Sequence, residues 1–374
     1  MEKGFIFSNF DQTKFELLKE KVMKKLRFWI MLSLLFVFTL LFAGTASATN
    51  GKHYPARGKI VVADRASGTI SVIDTKTDQV VETVPLPDGE NPPEPMYVVY
   101  SAAKHRVFVG DRANDRVVVF NARDFSVEGT VPAGAGVFHM WADGRSRQLW
   151  VNNDVDNTST VINPRTLDVL ATVPTPEDLV ELGGKPHDVI LGHFGHFAYV
   201  TVVGIPGDYD YLVQYNTQTF EEVNRAPVGK DPHVSLNRFS HKIFVPSQNS
   251  DVVIVLNRFT LEEIERIEVP GAHGAGMSPN GKVFYTTNLP GGGTDGLFAI
   301  NTRTNEIIGE PTDTPYPVPH NIALTRNGKK LYVTHSGATA DKVTIYTATR
   351  HNPVPVLAGE VTVGMNPFGL AFVP

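Results

Sequence analysis

Five histidines in this chain recur at one position of a repeating pattern. They are His139 in "GVFHMWA", His187 in "KPHDVIL", His233 in "DPHVSLN", His273 in "PGAHGAG" and His320 in "VPHNIAL". Two further segments carry Met96 ("PEPMYVV") and Phe368 ("NPFGLAF") in the histidine's place. With 12 His in 374 residues, seven random positions would hold about a quarter of one histidine. Five need a cause. Neutral imidazole ligates zinc, copper, iron and nickel, and a thioether adds a preference for Cu(I). The expectation is a transition-metal site, copper before zinc, with three or four of the five ligating one ion. Met96 would complete a Cu(I) set. His187, His233 and His273 carry most weight, because each has a histidine-bearing neighbour on both sides. The competing expectation is a polar tunnel lining, inherited through duplication of the repeat.

The elements that must position these side chains are strands. Apolar second strands follow each histidine segment: "IVVAD" (60–64), "VFVGD" (107–111), "LWVNN" (149–153), "AYVTV" (198–202), "IFVPS" (243–247), "FYTTN" (284–288) and "LYVTH" (331–335). Each leads to a third and a fourth strand, as in "RVVVFNARDFSVEGTVPAG". Seven four-stranded units at a period of roughly 40–48 residues predict an all-β, seven-bladed β-propeller. Its innermost strands begin at one mouth of the central channel, so the histidines should form an arc there. The chain ends "NPFGLAFVP", a first strand without a second. The described pattern begins with "KIVVAD", a second strand without a first. Pairing the two closes the ring and removes its open edge.

The strands "YTTN" (285–288) and "YVTH" (332–335), with the turns "SPNG" (278–281) and "TRNG" (325–328), resemble the YVTN-repeat β-propeller family, including its surface-layer-type members. The resemblance implies the fold over essentially all of residues 49–374. It implies no single function, because these propellers serve as surface proteins, binding modules and enzymes. More distantly the architecture is similar to the propeller of nitrous oxide reductase, whose His-lined hub implies copper, and to the haem-binding propellers of nitrite reductase. This chain departs from the former in having no cysteine-bearing domain and in carrying its histidines singly.

Residues 23–48 run from Lys24, Lys25 and Arg27 through the apolar stretch 28–43 to Ala46-Ser47-Ala48. That is the order of a secretory signal peptide. Residues 1–22 then read as an extension before the true start at Met23. The expected product is an extracytoplasmic, periplasmic or secreted monomer spanning 49–374, with no membrane attachment after cleavage. Lys plus Arg number 34 against 39 Asp plus Glu, which leaves no basic field for nucleic acid. The absence of cysteine excludes disulfides, iron–sulfur clusters and thiolate nucleophiles. "PGGGTDG" (290–296) lacks the Lys-Ser/Thr end of a phosphate loop. "NNDVDNTST" (152–160) lacks the spacing of a calcium loop. Asp64, Asp111, Asn153, Asn288 and His335 end second strands at the same mouth as the histidines. They are expected to orient the imidazoles, with His335 a further ligand. His105, His193, His196 and His241 fall at the opposite mouth. Three function classes follow. One is a metal- or small-ligand-binding protein. The second is an enzyme, a lyase, hydrolase or cofactor-dependent oxidoreductase, using a hub histidine. The third is an envelope scaffold that docks a protein partner.

Overall fold

A computed structural model of the chain describes residues 58–192, 194–291 and 293–374. The signal segment, the Met23 start and the cleavage site lie outside these residues, as does His193. The described residues form seven antiparallel sheets, six of four strands and one of five. Each is one blade of a propeller. The sixth blade is representative, running Pro319–Leu324, Lys330–His335, Lys342–Thr347 and Val356–Thr362 from the axis outward. The only α-helix among the described residues is Glu177–Glu181.

The strand sequences follow from their neighbours. Successive side chains of a strand point to opposite faces, and a middle strand has another blade against each face. In Arg106–Asp111, Val107 and Val109 pack with Val61 and Val72 of the closing blade, while Phe108 packs with Val137 and Leu149 of the next. Such strands read as unbroken apolar runs because neither face meets water. One apolar cluster of this kind lies between each pair of adjacent blades, making the core a ring of seven interfaces. Outer strands such as Val127–Pro132 are largely exposed.

The ring closes as the sequence predicts. Pro367–Val373 pairs antiparallel with Lys59–Asp64, in the register Ile60↔Phe372, Val61↔Ala371 and Val62↔Leu370. The closing blade is therefore built from both ends of the described chain. Two inner strands are short, Ser235–Leu236 and Gly276–Met277. In the fifth blade Thr312–Thr314 pairs with Gly293–Asn301, beside the two-residue outer strand Glu306–Ile307.

Candidate functional site: a histidine hub

The start of each inner strand is irregular in the same way. Pro319 pairs with His335 but Ile322 with Val333, so three residues of the inner strand span two of its partner. The same β-bulge occurs at Pro95/Val98, Val137/Met140, Pro186/Val189 and Pro367/Leu370. Bridges Pro232↔Ser247 and Ala272↔Asn288 mark the start of the remaining two. A bulge re-aims side chains and interrupts the ladder. Its first residue is Met96, Phe138, His187, His233, His273, His320 or Phe368. Its second is Tyr97, His139, Asp188, Val234, Gly274, Asn321 or Gly369. This corrects the sequence alignment at one place: Phe138, not His139, is in register with the other four histidines.

Threonines of the second strands hold the bulges. The N–H groups of Asp188, Gly274 and Asn321 donate to the hydroxyls of Thr201, Thr287 and Thr334, at 2.8, 2.9 and 3.1 Å. Thr334 donates in turn to the Phe368 carbonyl of the next blade at 2.8 Å. Asn152, in the corresponding place, donates to the His187 carbonyl at 3.0 Å. The bulge carrying His187 is thus fixed both by its own second strand and by the preceding blade. Gly274 permits the close approach of the next blade, since a Cβ there would lie 2.5 Å from the His320 carbonyl oxygen.

The five imidazoles converge despite the register shift. Ring centroids are 5.0 Å apart for His139–His187 and for His139–His233, and 4.7 Å for His187–His233. His273 follows at 3.8 Å from His233, and His320 at 4.6 Å from His273. Phe368 lies 4.2 Å beyond His320. Phe368, Phe138 and Met96 form the apolar side of the ring within the cluster between the first two blades. Ligand nitrogens of His139, His187 and His233 all lie within 4.8 Å of one another. The Nε2 atoms of His187 and His233 are 3.3 Å apart. Tetrahedral ligation at about 2.1 Å requires nitrogens about 3.4 Å apart, so this pair already has the spacing of two ligands. The set whose ligand nitrogens all approach one another is therefore His139, His187 and His233, and His273 is not part of it.

Asp188 is the residue that sequence reasoning missed. Its Oδ1 accepts from His139 Nδ1 at 2.8 Å, and its Oδ2 lies 3.5 Å from His233 Nδ1. The backbone N–H groups of Val189 and Val234 complete its shell at 2.7 and 2.9 Å. Burial pushes this carboxyl up, but His139 and His233 overcome it and hold Asp188 well below the usual carboxylate range. An ionised carboxylate only accepts, so His139 carries its proton on Nδ1. Its Nε2 keeps a free lone pair, buried and without a protein partner. Burial lowers His139, with Asp188 offsetting it in part. Burial and then the neighbouring imidazoles push His187, His273 and His320 well below the ordinary histidine value. Both ring nitrogens of His273 also lack a protein partner. His320 differs, because its Nδ1 accepts from Asn321 Nδ2 at 2.8 Å, which leaves the proton on Nε2.

The other expected contributors lie elsewhere. His335 is fully buried, with Nδ1 at 3.0 Å from the Pro317 carbonyl and Nε2 at 2.9 Å from Thr344 Oγ1, so neither nitrogen is free to ligate. Met96 is fully buried among apolar side chains. Asp64 bonds the hydroxyls of Thr69 and Ser71, Asp111 pairs with Arg116, and Asn153 holds Thr158 and Thr160. These serve their own blades rather than the imidazoles. The adjacent pair His187-Asp188 was the available signal for the true orienting group, since the second bulge position faces the next blade.

Comparison with known proteins supplies the family. Residues 45–262 match the family described as lactonase, 7-bladed beta-propeller, which is more than half of the chain. The chain belongs to the lactonase-type seven-bladed propeller family. The match carries the fold that the strand motifs implied and names a family other than the YVTN repeats. No curated protein matches the chain. Among solved structures it is similar to the periplasmic gluconolactonase of Pseudomonas aeruginosa, at 15% identity and TM-score 0.65, covering 85% of this chain and 99% of that one. It is similar to a Bacteroides fragilis protein proposed to be a 6-phosphogluconolactonase, at 18% identity and TM-score 0.65, covering 86% and 99%. It is also similar to hydrazine synthase of Kuenenia stuttgartiensis, at 16% identity and TM-score 0.60, covering 75% and 90%. At these identities the likeness is one of fold. No helix among the described residues is long and apolar enough to cross a membrane.

Proposed function

We propose that the propeller is an extracytoplasmic protein whose hub binds one transition-metal ion through His139, His187 and His233. The observation that carries this reading is the convergence of three imidazoles within 4.8 Å, two of them approached from behind by the Asp188 carboxylate. A carboxylate behind a ligating histidine fixes its tautomer and raises its basicity, and such partners change metal affinity 10–100-fold. Burial that keeps His139 and His187 neutral keeps them competent as ligands, because a protonated imidazole cannot ligate. His273 is the nearest further imidazole. With Met96 in the core, the donors are nitrogen alone, which suits copper(II) and zinc, with copper the tighter by the usual order of affinities. Elemental analysis of protein purified without an affinity tag tests this. About one copper or zinc per chain is expected, and metal-free protein that also takes up no added ion would reject the site.

Family membership favours a second reading, hydrolysis of a cyclic ester at the same hub. Three protein ligands leave a position for water on the ion, and a bound ion lowers the pKa of that water toward 7. D-Glucono-δ-lactone is the first substrate to try. Hydrolysis above the spontaneous rate that is lost on chelation supports this reading. Hydrolysis indifferent to chelation would assign the work to a hub imidazole as general base instead.

A further inference from the structure

Beneath the imidazoles the channel widens into a cavity of about 510 Å³. Inner strands from all seven blades line it, and it opens among the first-to-second-strand turns near Gly144, Arg238 and Pro279. That mouth is opposite the one where the inner strands start. The floor is polar, made by Tyr97, His139, Asp188, His233 and Asn321. The walls toward the mouth are apolar, with Tyr100, Met277, Leu324, Leu370 and Phe372. Trp141 lines the cavity and is 45% exposed.

This division of chemistry selects a ligand class. The volume falls in the range of small-molecule sites, about 300–1,000 Å³. A sugar or a sugar phosphate carries polar groups along its whole length, and the walls would leave them without partners. At the floor the Tyr97 hydroxyl can donate to a carbonyl on the head group. An aliphatic chain would remove its methylenes from water against these walls.

We infer that the cavity binds a small neutral amphiphile, with an ester or lactone head at Tyr97 and His139 and an aliphatic chain running past Met277 and Leu324 to the mouth. The chain-binding part rests on the cavity alone, and the choice of head rests on the family's ester chemistry. Tryptophan fluorescence of the whole protein tests it, using γ-decalactone and the chainless γ-butyrolactone. A saturable change with γ-decalactone is expected, with γ-butyrolactone at least ten-fold weaker. Trp141→Phe should abolish the signal. Met277→Gln and Leu324→Gln should weaken binding several-fold without lowering the melting temperature. The absence of a saturable response in the parent, equal affinity for γ-butyrolactone, or parent-like binding by the two Gln variants would overturn the inference. Metal content, measured on the same samples, reports separately on the hub, so the two readings can fail independently.

Discussion

At the scale of single residues the hub depends on one carboxylate. Asp188 joins the second, third and fourth blades, because its oxygens meet His139, His233 and the Val234 N–H. Asp188→Asn should lower metal affinity 10–100-fold, read by competition titration, while His187 and its 3.3 Å approach to His233 remain. The same residues predict how stability depends on pH. His139, His187, His273 and His320 are all lowered in the fold. Their unfolded counterparts protonate near pH 6.5, so the unfolded chain binds more protons as pH falls through that value. Stability is therefore full above about pH 6.5 and declines below it. Asp64 acts in the opposite sense, since burial raises it to about 6 and the folded state holds its proton more tightly. One carboxyl opposes four imidazoles. Calorimetry of metal-free protein should show the melting temperature falling from about pH 6.5 downward, and a flat profile to pH 5 would contradict the buried neutral rings.

At the scale of elements, strands and closure were legible because each apolar run and each turn repeats seven times. Deleting residues 366–374 removes Leu370 and Phe372 from the closing interface and leaves the inner edge of Lys59–Asp64 unpaired. Loss of cooperative unfolding or aggregation is expected, and a transition as sharp and as high as the parent's would contradict the closure. The register of the second blade was not legible. Five blades begin their inner strand with a proline before the bulge: Pro95, Pro186, Pro232, Pro319 and Pro367. The second begins with Val137, so nothing in "GVFHMWA" distinguishes Phe138 from His139 as the first bulge residue. The neighbour needed to place them is in the next blade, where Asp188 receives His139 Nδ1. That contact spans 49 positions, and no local pattern carries it.

At the scale of the whole molecule, seven blades place seven strand starts around one axis, four of them with a histidine first in the bulge, and the second blade adds His139 one residue later. The fold makes the convergence inevitable, while the chemistry depends on which imidazole nitrogens are left free. Asp188 occupies the far nitrogen of His139 and faces that of His233, Asn321 takes Nδ1 of His320, and His335 is spent within its own blade. The most direct test is calorimetric titration of the untagged, metal-free protein with copper(II) and then zinc at neutral pH, alongside His233→Ala and His241→Ala. His241 is exposed in a turn at the opposite mouth. The hub predicts one ion per chain in the parent and in His241→Ala, with affinity lost at least 100-fold in His233→Ala. Identical isotherms for the two variants, or no binding by the parent, would contradict it.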